Sequence, residues 1–480
     1  MNFTSVNFLF FALGLTILHN LNRSTQFRRW LMLVANMVFI ASFVSPPLQL
    51  APFAAFLVLS YVATTAMCWR PPRLVFGFAI VGLLFVFAVL KRYAFLDGHF
   101  LLPFPYLEVG LSYILFRVLQ MMIDGYSGDI QRPMSPLAFL NYTCNFLCFV
   151  SGPIQRSNDF LASSADPAHE LDSQSVFAAF SRIISGYVKV AVFSAIAQFI
   201  FSHLTELFLS PGAGLPTLKF SAVYAFAAVA YTMYLYYNFS GYMDIVIGIG
   251  WLLGQNLPEN FNKPFAAGSF LEFWSRWHMT LSDWFKTYVF NPLLKALARR
   301  FTSPRTDAYL GVLAFFITFL IMGLWHGASS VFIVYGLLMG AGASANKLWQ
   351  VVATRQLGRK GYQVLARNTA FLYLSRGLTF AYFALALTCL WLDMQQLVGL
   401  VRQLGVFGIM TCYLGLTATA AMAFLIWDTL TAQLAPLRLH AISLSSGVVA
   451  RNLALSVEIL LIVTVASFFH KAPEFVYRAF

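Results

Sequence analysis

One histidine lies inside a long uncharged stretch and is the first candidate for chemistry. No Asp, Glu, Lys or Arg occurs between residues 309 and 346, and His326 stands there within the sequence MGLWHGAS. An ionisable side chain in such a stretch needs a partner or a water-filled cavity, so it is a functional candidate by default. Gly323 and Gly327 flank it at a spacing that lets a backbone or a ligand approach closely. Catalysis and helix packing around a neutral, hydrogen-bonded histidine are equally compatible with this pattern.

A second histidine lies in a charged, aromatic segment. Residues Gly268–Pro292 read GSFLEFWSRWHMTLSDWFKTYVFNP and contain His278. Ser269 and Glu272 have the spacing of a capping box, which predicts a helix start. Arg276 follows Glu272 by four residues, so the two are expected to form an ion pair, although the guanidinium could instead contact a donor phosphate. The charges would be unfavourable at the bilayer centre, which favours an amphipathic helix that dips into the protein or anchors it at the interface.

A third block combines a buried acid with amide and hydroxyl groups. It spans Tyr236–Gly248 and reads YYNFSGYMDIVIG. Asp244 has apolar neighbours in sequence, so we expect it to pair with a buried cation or hydroxyl. Asn238 and Ser240 either join the same network or hydrogen-bond to backbone groups that a helix break at Gly241 would expose. Such a break would separate apolar spans near residues 218–237 and 241–255.

Membrane-embedded helices must position these side chains. The chain has 480 residues, of which 59% are hydrophobic and only 10% charged, whereas soluble domains carry about 25% charged residues. Lipid must therefore cover much of the surface. The apolar runs are long enough for helical spans and lack the alternation of a membrane β-barrel. The sequence predicts an all-α, polytopic membrane protein with roughly 11–14 hydrophobic helices, some re-entrant or interfacial, in a single domain over residues 1–480.

Charge distribution predicts the orientation and excludes one class of partner. The net charge is +13, from 31 Lys and Arg against 18 Asp and Glu. The basic residues form short clusters between apolar runs, where the positive-inside rule and anionic headgroups explain them, so nucleic acid is not an expected partner. Arg23, Arg28 and Arg29 follow the first apolar run and place the N-terminus outside the cytoplasm. The basic segment Arg355–Arg367 is expected on the cytoplasmic side. No positive n-region precedes the first run, which argues against a cleaved signal peptide.

Five blocks in one order carry a family resemblance. They are GPIQR, YxNFSGYxD, PENFNKP, FWxRWHxTLSxWFKxY and GLWHG. This order resembles the membrane-bound O-acyltransferase family, most closely the bacterial branch of alginate O-acetyltransferases and D-alanyl transferases of teichoic acid. The resemblance runs from about Leu107 to the C-terminus, and residues 152–340 carry nearly all of its specificity. Two departures stand out. Asn238 replaces the aspartate usual in the family, and the basic stretch Asn291–Arg305 replaces a glycine-rich turn, as in the D-alanyl-transfer branch.

The resemblance implies a mechanism. It assigns His326 as the general base that takes a proton from an acceptor hydroxyl. It assigns His278 a second role, orienting the donor or stabilising the developing oxyanion. The donor would be acetyl-CoA or an acyl-carrier thioester, with no tightly bound cofactor and no metal; the five cysteines lack the paired spacing of a metal site. The side chains expected to contact substrate are Trp325, Arg276, Asp244, Asn238 and Ser240.

Several functions stay open at this stage. The first expectation is transfer of an acyl group, acetyl before others, to hydroxyls of a cell-surface or extracellular polysaccharide from the bacterial inner membrane. The alternatives are D-alanylation of an anionic envelope polymer, acylation of a lipid or small glycan, a lipid or polymer transporter, and a scaffold in an export complex. A transporter predicts inverted repeats with paired broken helices, and the sequence shows neither. The expected partners are membrane lipids, a donor or carrier protein at the cytoplasmic face, the polysaccharide, and an extracytoplasmic acyltransferase that completes the transfer.

Overall fold

Apolar runs with serine, asparagine or proline at their ends set the boundaries of the helices. Ser5 and Ser24, for example, each accept a hydrogen bond from a backbone N–H in the first turn of the helix that follows, as N-capping residues do. The structure is a computed structural model and describes residues 1, 3, 5–96, 102, 104–165, 171–209, 216–303, 306–444 and 448–469. Over those ranges the backbone is mostly helical and forms no β-strand beyond one isolated bridge between Phe261 and Trp277.

The helices differ widely in length, from one turn to 51 residues. In chain order they are α1 Val6–Leu21, α2 Thr25–Ala41, α3 Ala51–Met67, α4 Arg73–Leu90, α5 Leu111–Ser127, α6 Pro136–Thr143, α7 Phe146–Phe149, α8 Ser157–Ala165, α9 Ser173–Val188, α10 Ala195–Leu209, α11 Thr217–Leu252, α12 Phe270–Trp274, α13 Met279–Phe285, α14 Asn291–Arg300, α15 Asp307–His326, α16 Val331–Arg367, α17 Thr369–Ala386, α18 Met394–Leu444 and α19 Val448–Phe469. Turns of π-helix at Lys189–Ser194 and Lys286–Phe290 join α9 to α10 and α13 to α14.

Many of these helices have the length and apolar composition of membrane spans. Within the described ranges there are eight such segments: Pro47–Met67, Arg73–Leu90, Ser173–Leu207, Thr217–Leu252, Ala308–His326, Val331–Arg367, Thr369–Leu390 and Met394–Leu434. Two shorter apolar helices, Asn7–Leu21 and Asn452–Val465, accompany them. Because a bilayer core is crossed by about 20 apolar residues in a helix, the predicted all-α, polytopic membrane architecture is confirmed.

The predicted helix break at Gly241 is wrong. The sequence suggests separate spans near residues 218–237 and 241–255, whereas α11 runs without interruption from Thr217 to Leu252. Gly241 instead allows close packing, since a Cβ atom added to Gly186 of α9 would come within 2.7 Å of the Gly241 carbonyl oxygen. Small residues let two helix backbones approach in this way. The glycine therefore serves a helix contact and leaves the helix intact.

The chain divides into two compact units. The first includes the described residues within Met1–Tyr187 and Phe239–Glu259, and the second includes those within Val188–Asn238 and residues 260–469. The one domain expected over residues 1–480 stays a prediction. Both predicted catalytic histidines belong to the second unit, whereas Asp244 and Ser240 belong to the first.

A buried arginine organises the short helices of the first unit. Arg117 is 1% exposed. Its Nη1 group donates to the carbonyls of Tyr142 and Thr143, at 2.8 and 3.0 Å, and its Nη2 group donates to the Cys148 carbonyl at 2.8 Å. These carbonyls lie at the C-terminal ends of α6 and α7, where a cation is favourable. Arg117 thus satisfies backbone groups of an irregular segment that lipid could not solvate.

Candidate active site

A tight helix hairpin holds His326. Helix α15 ends at this residue because Gly327 adopts an extended conformation, with φ −171° and ψ 162°. The two helices of the hairpin, α15 and α16, are in backbone contact, since a Cβ atom added to Gly323 would lie 2.2 Å from the Cα of Gly336. A Cβ atom on Gly327 would collide with the Phe332 ring at 2.0 Å. The sequence predicts this close approach from the glycine spacing, and the structure confirms it.

The imidazole of His326 lies between aromatic rings and is 3% exposed. The ring centroid of Trp325 lies 4.8 Å away, and that of Tyr335 lies 5.3 Å away, with its plane tilted by 82° to the imidazole. These contacts fix the ring orientation within a nearly dry environment. The predicted substrate contact of Trp325 stays a prediction; what the structure shows is that Trp325 packs beside the histidine.

His278 occupies a break between two short helices, so the single amphipathic helix predicted for this segment is wrong. The serine half of the predicted capping box forms, since Ser269 Oγ accepts a hydrogen bond from the Glu272 backbone N–H at 3.2 Å. The Glu272 carboxylate accepts in return from the Gly268 N–H, one residue before the N-cap, at 2.9 Å. Helix α12 ends at Trp274, however, and α13 begins only at Met279. His278 lies between them in a left-handed conformation, with φ 44° and ψ 53°. Such a conformation is uncommon for a residue other than glycine and often marks a functional site.

A short antiparallel pairing explains why the helix breaks. The backbone N–H of Asn262 donates to the Arg276 carbonyl at 2.9 Å, and that of Met279 donates to the Asn260 carbonyl at 3.0 Å. Trp277 forms the centre of the bridge and packs its ring against Phe261 at 5.1 Å between centroids. The PENFNKP block therefore lies directly beside the segment that carries the second histidine, and it replaces the intrahelical hydrogen bonds that an unbroken helix would have made.

Asn260 determines which nitrogen of His278 carries the proton. Its Oδ1 atom accepts hydrogen bonds from the backbone N–H and the hydroxyl of Thr280, at 3.0 and 2.9 Å. The same oxygen lies 3.2 Å from Nδ1 of His278. The backbone N–H can only donate, which identifies the facing amide atom as oxygen. An amide oxygen can only accept, so Nδ1 of His278 must donate. In the neutral ring, the lone pair is then on Nε2.

Burial keeps this imidazole neutral. His278 is 1% exposed and Asn260 is fully buried. Burial lowers the pKa of His278 well below its ordinary value, and the neighbouring His326 lowers it further. A histidine that stays neutral over the physiological range can accept a proton or a hydrogen bond. The structure thus brings the two predicted catalytic histidines close enough to influence each other within one unit, while their catalytic roles stay predictions.

Arg276 forms the ion pair that its spacing predicts. Its Nη2 group lies 2.8 Å from Oε1 of Glu272, and its Nε donates to the same oxygen at 3.1 Å. The side chain is 31% exposed. Contact of Arg276 with a donor phosphate stays a prediction. Asn238, also expected to contact substrate, is fully buried in the second unit.

Asp244 pairs with a cation, as the sequence predicts, and that cation is the partly buried Arg182. The Nε group of Arg182 lies 3.1 Å from Oδ1 of Asp244, and both side chains are about one-sixth exposed, at 17% and 16%. The two Nη groups form a bidentate pair with Glu259, each at 2.6 Å. The guanidinium also stacks over the Trp251 ring, 4.9 Å from its centroid. Asp244 is therefore anchored within the first unit, and its predicted contact with substrate stays a prediction, as does that of Ser240.

Removing one partner of this network is expected to destabilise the protein. Arg182→Gln should lower the free energy of unfolding by about 2 kcal/mol, because it leaves the partly buried Asp244 carboxylate without its cation. Asp244→Asn should lower it less, because Arg182 keeps its bidentate pair with Glu259. The double variant should lose less than the sum of the two. Fluorescence-detected thermal unfolding in detergent measures this. The exposed pair Arg92–Glu108, at 43% and 35% exposure, is the matched control and should change stability by under about 1 kcal/mol. Strictly additive losses in the first pair would contradict the coupling.

Four hydrogen-bonding residues of these networks are not among the candidates that the sequence predicts: Glu259, Asn260, Thr280 and Arg182. The first three belong to the five blocks. Arg182 lies outside all five blocks. The signal that pointed towards Asn260 is the PENFNKP block itself, a polar and Pro-containing segment that follows an apolar run and precedes the second histidine.

The fold and this site together define a multi-pass helical membrane protein with two buried histidines, one between the short helices α12 and α13 and one in the hairpin of α15 and α16. The family model of the membrane-bound O-acyltransferase family matches residues 126–384. The chain belongs to this family. The resemblance inferred from the five blocks is thereby confirmed.

Similar proteins come from several bacteria. The chain is 29% identical over 343 residues to the probable alginate O-acetylase AlgI of Pseudomonas fluorescens. The aligned region covers 70% of this chain and 64% of that protein. It is 28% identical over 231 residues to the teichoic acid D-alanyltransferase of Bacillus subtilis, covering 48% and 56%. It is 36% identical over 148 residues to the peptidoglycan O-acetyltransferase of Helicobacter pylori, covering 31% and 26%. The chain thus spans less than two thirds of the length of these relatives.

Proposed function

We propose that this protein is a membrane acyltransferase that moves an acyl group, acetyl in the first instance, from an activated thioester towards hydroxyls of a cell-envelope or extracellular polysaccharide. The observation that carries the proposal is the buried pair of histidines, with Asn260 holding the neutral His278 so that its lone pair is on Nε2. Family membership supports acyl transfer. The names of the similar alginate and peptidoglycan acetylases support a polysaccharide acceptor.

The chemistry requires one base. His326 takes the proton of the acceptor hydroxyl as the hydroxyl oxygen attacks the thioester carbonyl carbon. The carbon–sulfur bond then breaks, the ester remains on the acceptor, and the imidazolium returns its proton to the departing thiolate. The base is thus regenerated without a covalent acyl-enzyme. Burial of His326 at 3% exposure excludes bulk water, which would otherwise compete with the acceptor hydroxyl for the donor.

His278 acts as a hydrogen-bond acceptor in this scheme. Its only ring N–H is directed to Oδ1 of Asn260, so the neutral ring has no N–H left to stabilise an oxyanion. Of the two roles that the family resemblance implies, orienting the substrate is the one that this tautomer supports. We assign Nε2 of His278 to an N–H or O–H group of the donor or acceptor.

Donor and acceptor meet from opposite faces of the bacterial inner membrane in this proposal. Acetyl-CoA or an acyl-carrier thioester approaches from the cytoplasm, and the hydroxyl that His326 deprotonates is presented from the extracytoplasmic face. A partner acyltransferase on that face then completes the transfer from this first acceptor to the polymer. The positive cluster Arg23, Arg28 and Arg29 supports a cytoplasmic first loop, with the N-terminus outside. The scheme needs no tightly bound cofactor.

D-alanyl transfer to an anionic envelope polymer is the second candidate. The observation that favours it is helix α14, Asn291–Arg300, which replaces the glycine-rich turn and exposes Lys295, Arg299 and Arg300. Identity to a teichoic acid D-alanyltransferase supports the same alternative.

Deletion of the gene distinguishes acetyl transfer, D-alanyl transfer and transport by their different effects on the envelope polymers. We expect one class of ester, acetyl or D-alanyl, to disappear from the envelope polymers and to return when the wild-type gene is restored. Mass spectrometry of alkali-labile esters on isolated polymers identifies the group. A transporter would instead reduce the amount of exported polymer or lipid while the esters on the remaining polymer stay unchanged. That result would overturn the proposal.

A further inference from the structure

A large cavity of the second unit lies away from the histidine site. Its volume is about 470 Å³, and helices α12, α16, α17 and α18 contribute to its walls. Ligand cavities in proteins typically measure about 300–1,000 Å³, so this one is large enough for part of a small molecule. Neither His278 nor His326 lines it. It is therefore a candidate site separate from the proposed catalytic centre.

The walls of this cavity suit an apolar occupant. Rings of Phe270, Trp349, Tyr362 and Tyr382 line it, together with small side chains such as Ala345. The Tyr382 hydroxyl is already used, because it donates to the Leu338 carbonyl. Polar side chains also line the cavity, and two of them are engaged with the backbone: Ser269 Oγ accepts from the Glu272 N–H and Asn346 Oδ1 from the Leu271 N–H. Because aromatic and aliphatic groups provide most of the lining, it favours hydrocarbon over a sugar or a nucleotide.

A kink in α16 places positive charge beside the cavity. Gly358 has φ 69° and ψ 167°, and nothing lies within 4 Å of where its Cβ atom would be, so backbone conformation alone requires glycine. After this kink Tyr362 lines the cavity, while Arg359 and Lys360 are exposed. Residues 331–368 contain no Asp or Glu. One short helical segment therefore presents an aromatic ring to the cavity and two exposed basic side chains beside it, with no acidic residue in the same helix.

We propose that this cavity holds an acyl chain of an anionic phospholipid whose phosphate contacts the basic side chains that follow Gly358. Charge complementarity selects an anionic headgroup, because Lys and Arg at a membrane surface attract anionic lipid. The half-exposed Trp349, at 47%, stacks with Phe371 at 6.4 Å, and such aromatic residues are typical of the headgroup level. The occupant is a structural lipid, neither donor nor acceptor of the acyl group.

The site also contacts the start of the catalytic segment. Gly268, Ser269 and Phe270 line the cavity, and they precede the helix that leads to His278. A bound chain would support the start of α12 and thereby the position of His278. This effect on activity rests on the proposed function, whereas lipid binding itself does not.

Lipid retention measured by native mass spectrometry tests the proposal. Full-length protein is purified from nanodiscs of phosphatidylglycerol or phosphatidylcholine. We expect one retained phosphatidylglycerol and no retained phosphatidylcholine. Ala345→Trp places an indole in the cavity that Ala345 lines and should abolish retention. Ala341→Trp, at a likewise exposed position one turn earlier in the same helix and outside the lining, should not. Arg359→Gln with Lys360→Gln should weaken affinity about 25-fold, or about fivefold for each charge.

Each alternative result has a defined meaning. Equal retention of both lipids would overturn the headgroup assignment, as would unchanged affinity of the doubly substituted basic variant. Retention by Ala345→Trp equal to that of Ala341→Trp would overturn the cavity assignment. The basic variant alters only exposed side chains, so it tests the proposal even where the tryptophan variant does not fold. A variant that loses the lipid but keeps full acyl transfer would contradict the proposed effect of the bound chain on α12, and the lipid site itself would still be supported. Lipid binding is measured without reference to catalysis, so failure of the proposed function would not affect this test.

Discussion

His326→Ala is expected to reduce acyl transfer by about 10²–10⁴-fold, the range that general-base catalysis contributes. The imidazole is 3% exposed and lies between the rings of Trp325 and Tyr335, so alanine leaves a space without a base. Mass spectrometry of polymer esters in cells that carry the substituted gene measures the loss. The amount of protein in the membrane fraction and its thermal unfolding are measured in parallel.

Two further variants separate catalysis from packing. His203 is exposed on α10, and His203→Ala is the matched control that should retain full transfer. His326→Gln keeps much of the side-chain volume and a hydrogen-bonding group but has no titratable nitrogen, so it should be as inactive as alanine while unfolding closer to wild type. Full esterification by His326→Ala, in a strain where deletion of the gene abolishes the ester, would remove this residue from the mechanism.

Local rules explain what the sequence predicts well. Bilayer thickness and the unfavourable burial of charge constrain every apolar run separately. The spans and the candidate status of His326 can therefore be read from short windows. The Gly323 contact with Gly336 follows in the same way, because the glycine spacing within one helix already indicates a close neighbour. These features need no knowledge of which segments meet.

Long-range contacts explain what the sequence does not predict. Arg182 is 62 residues from Asp244, and the local pattern around the acid indicates only that some cation must be near. The helix break before Met279 depends on an antiparallel partner, Asn260–Asn262, that lies before the segment begins. Capping and hydrophobic spacing within Gly268–Pro292 favour a continuous helix, and tertiary hydrogen bonds override that preference. The same contact sets the tautomer of His278, so the chemistry of that residue could not be derived from its own segment.

Asn260→Ala is expected to reduce acyl transfer by about 10²-fold or more when activity is normalised to the amount of folded protein, which also falls because buried donors of Thr280 lose their acceptor. Without the amide oxygen, Nδ1 of His278 loses the acceptor at 3.2 Å, and the imidazole can adopt the other tautomer, which places a proton on Nε2. A catalytic histidine in the wrong tautomer is a large loss in other enzymes. Asn262→Ala is the matched control, since Asn262 is exposed and contributes a backbone N–H to the same pairing. Equal activity of the two variants would contradict the role of Asn260.

Asn260→Asp separates tautomer control from packing. The carboxylate keeps an acceptor opposite Nδ1, so this variant should retain more transfer activity than alanine. Because a negative charge favours the protonated form of a neighbouring histidine, it raises the pKa of His278. Activity that depends on a neutral His278 should then be lost at higher pH than in wild type as the medium is acidified. A pH profile of acyl transfer measures this shift. If activity falls at the same acidic pH as in wild type, Asn260 holds the segment together and does not act through the imidazole. A purely structural role would leave the pKa of His278 unchanged by the carboxylate.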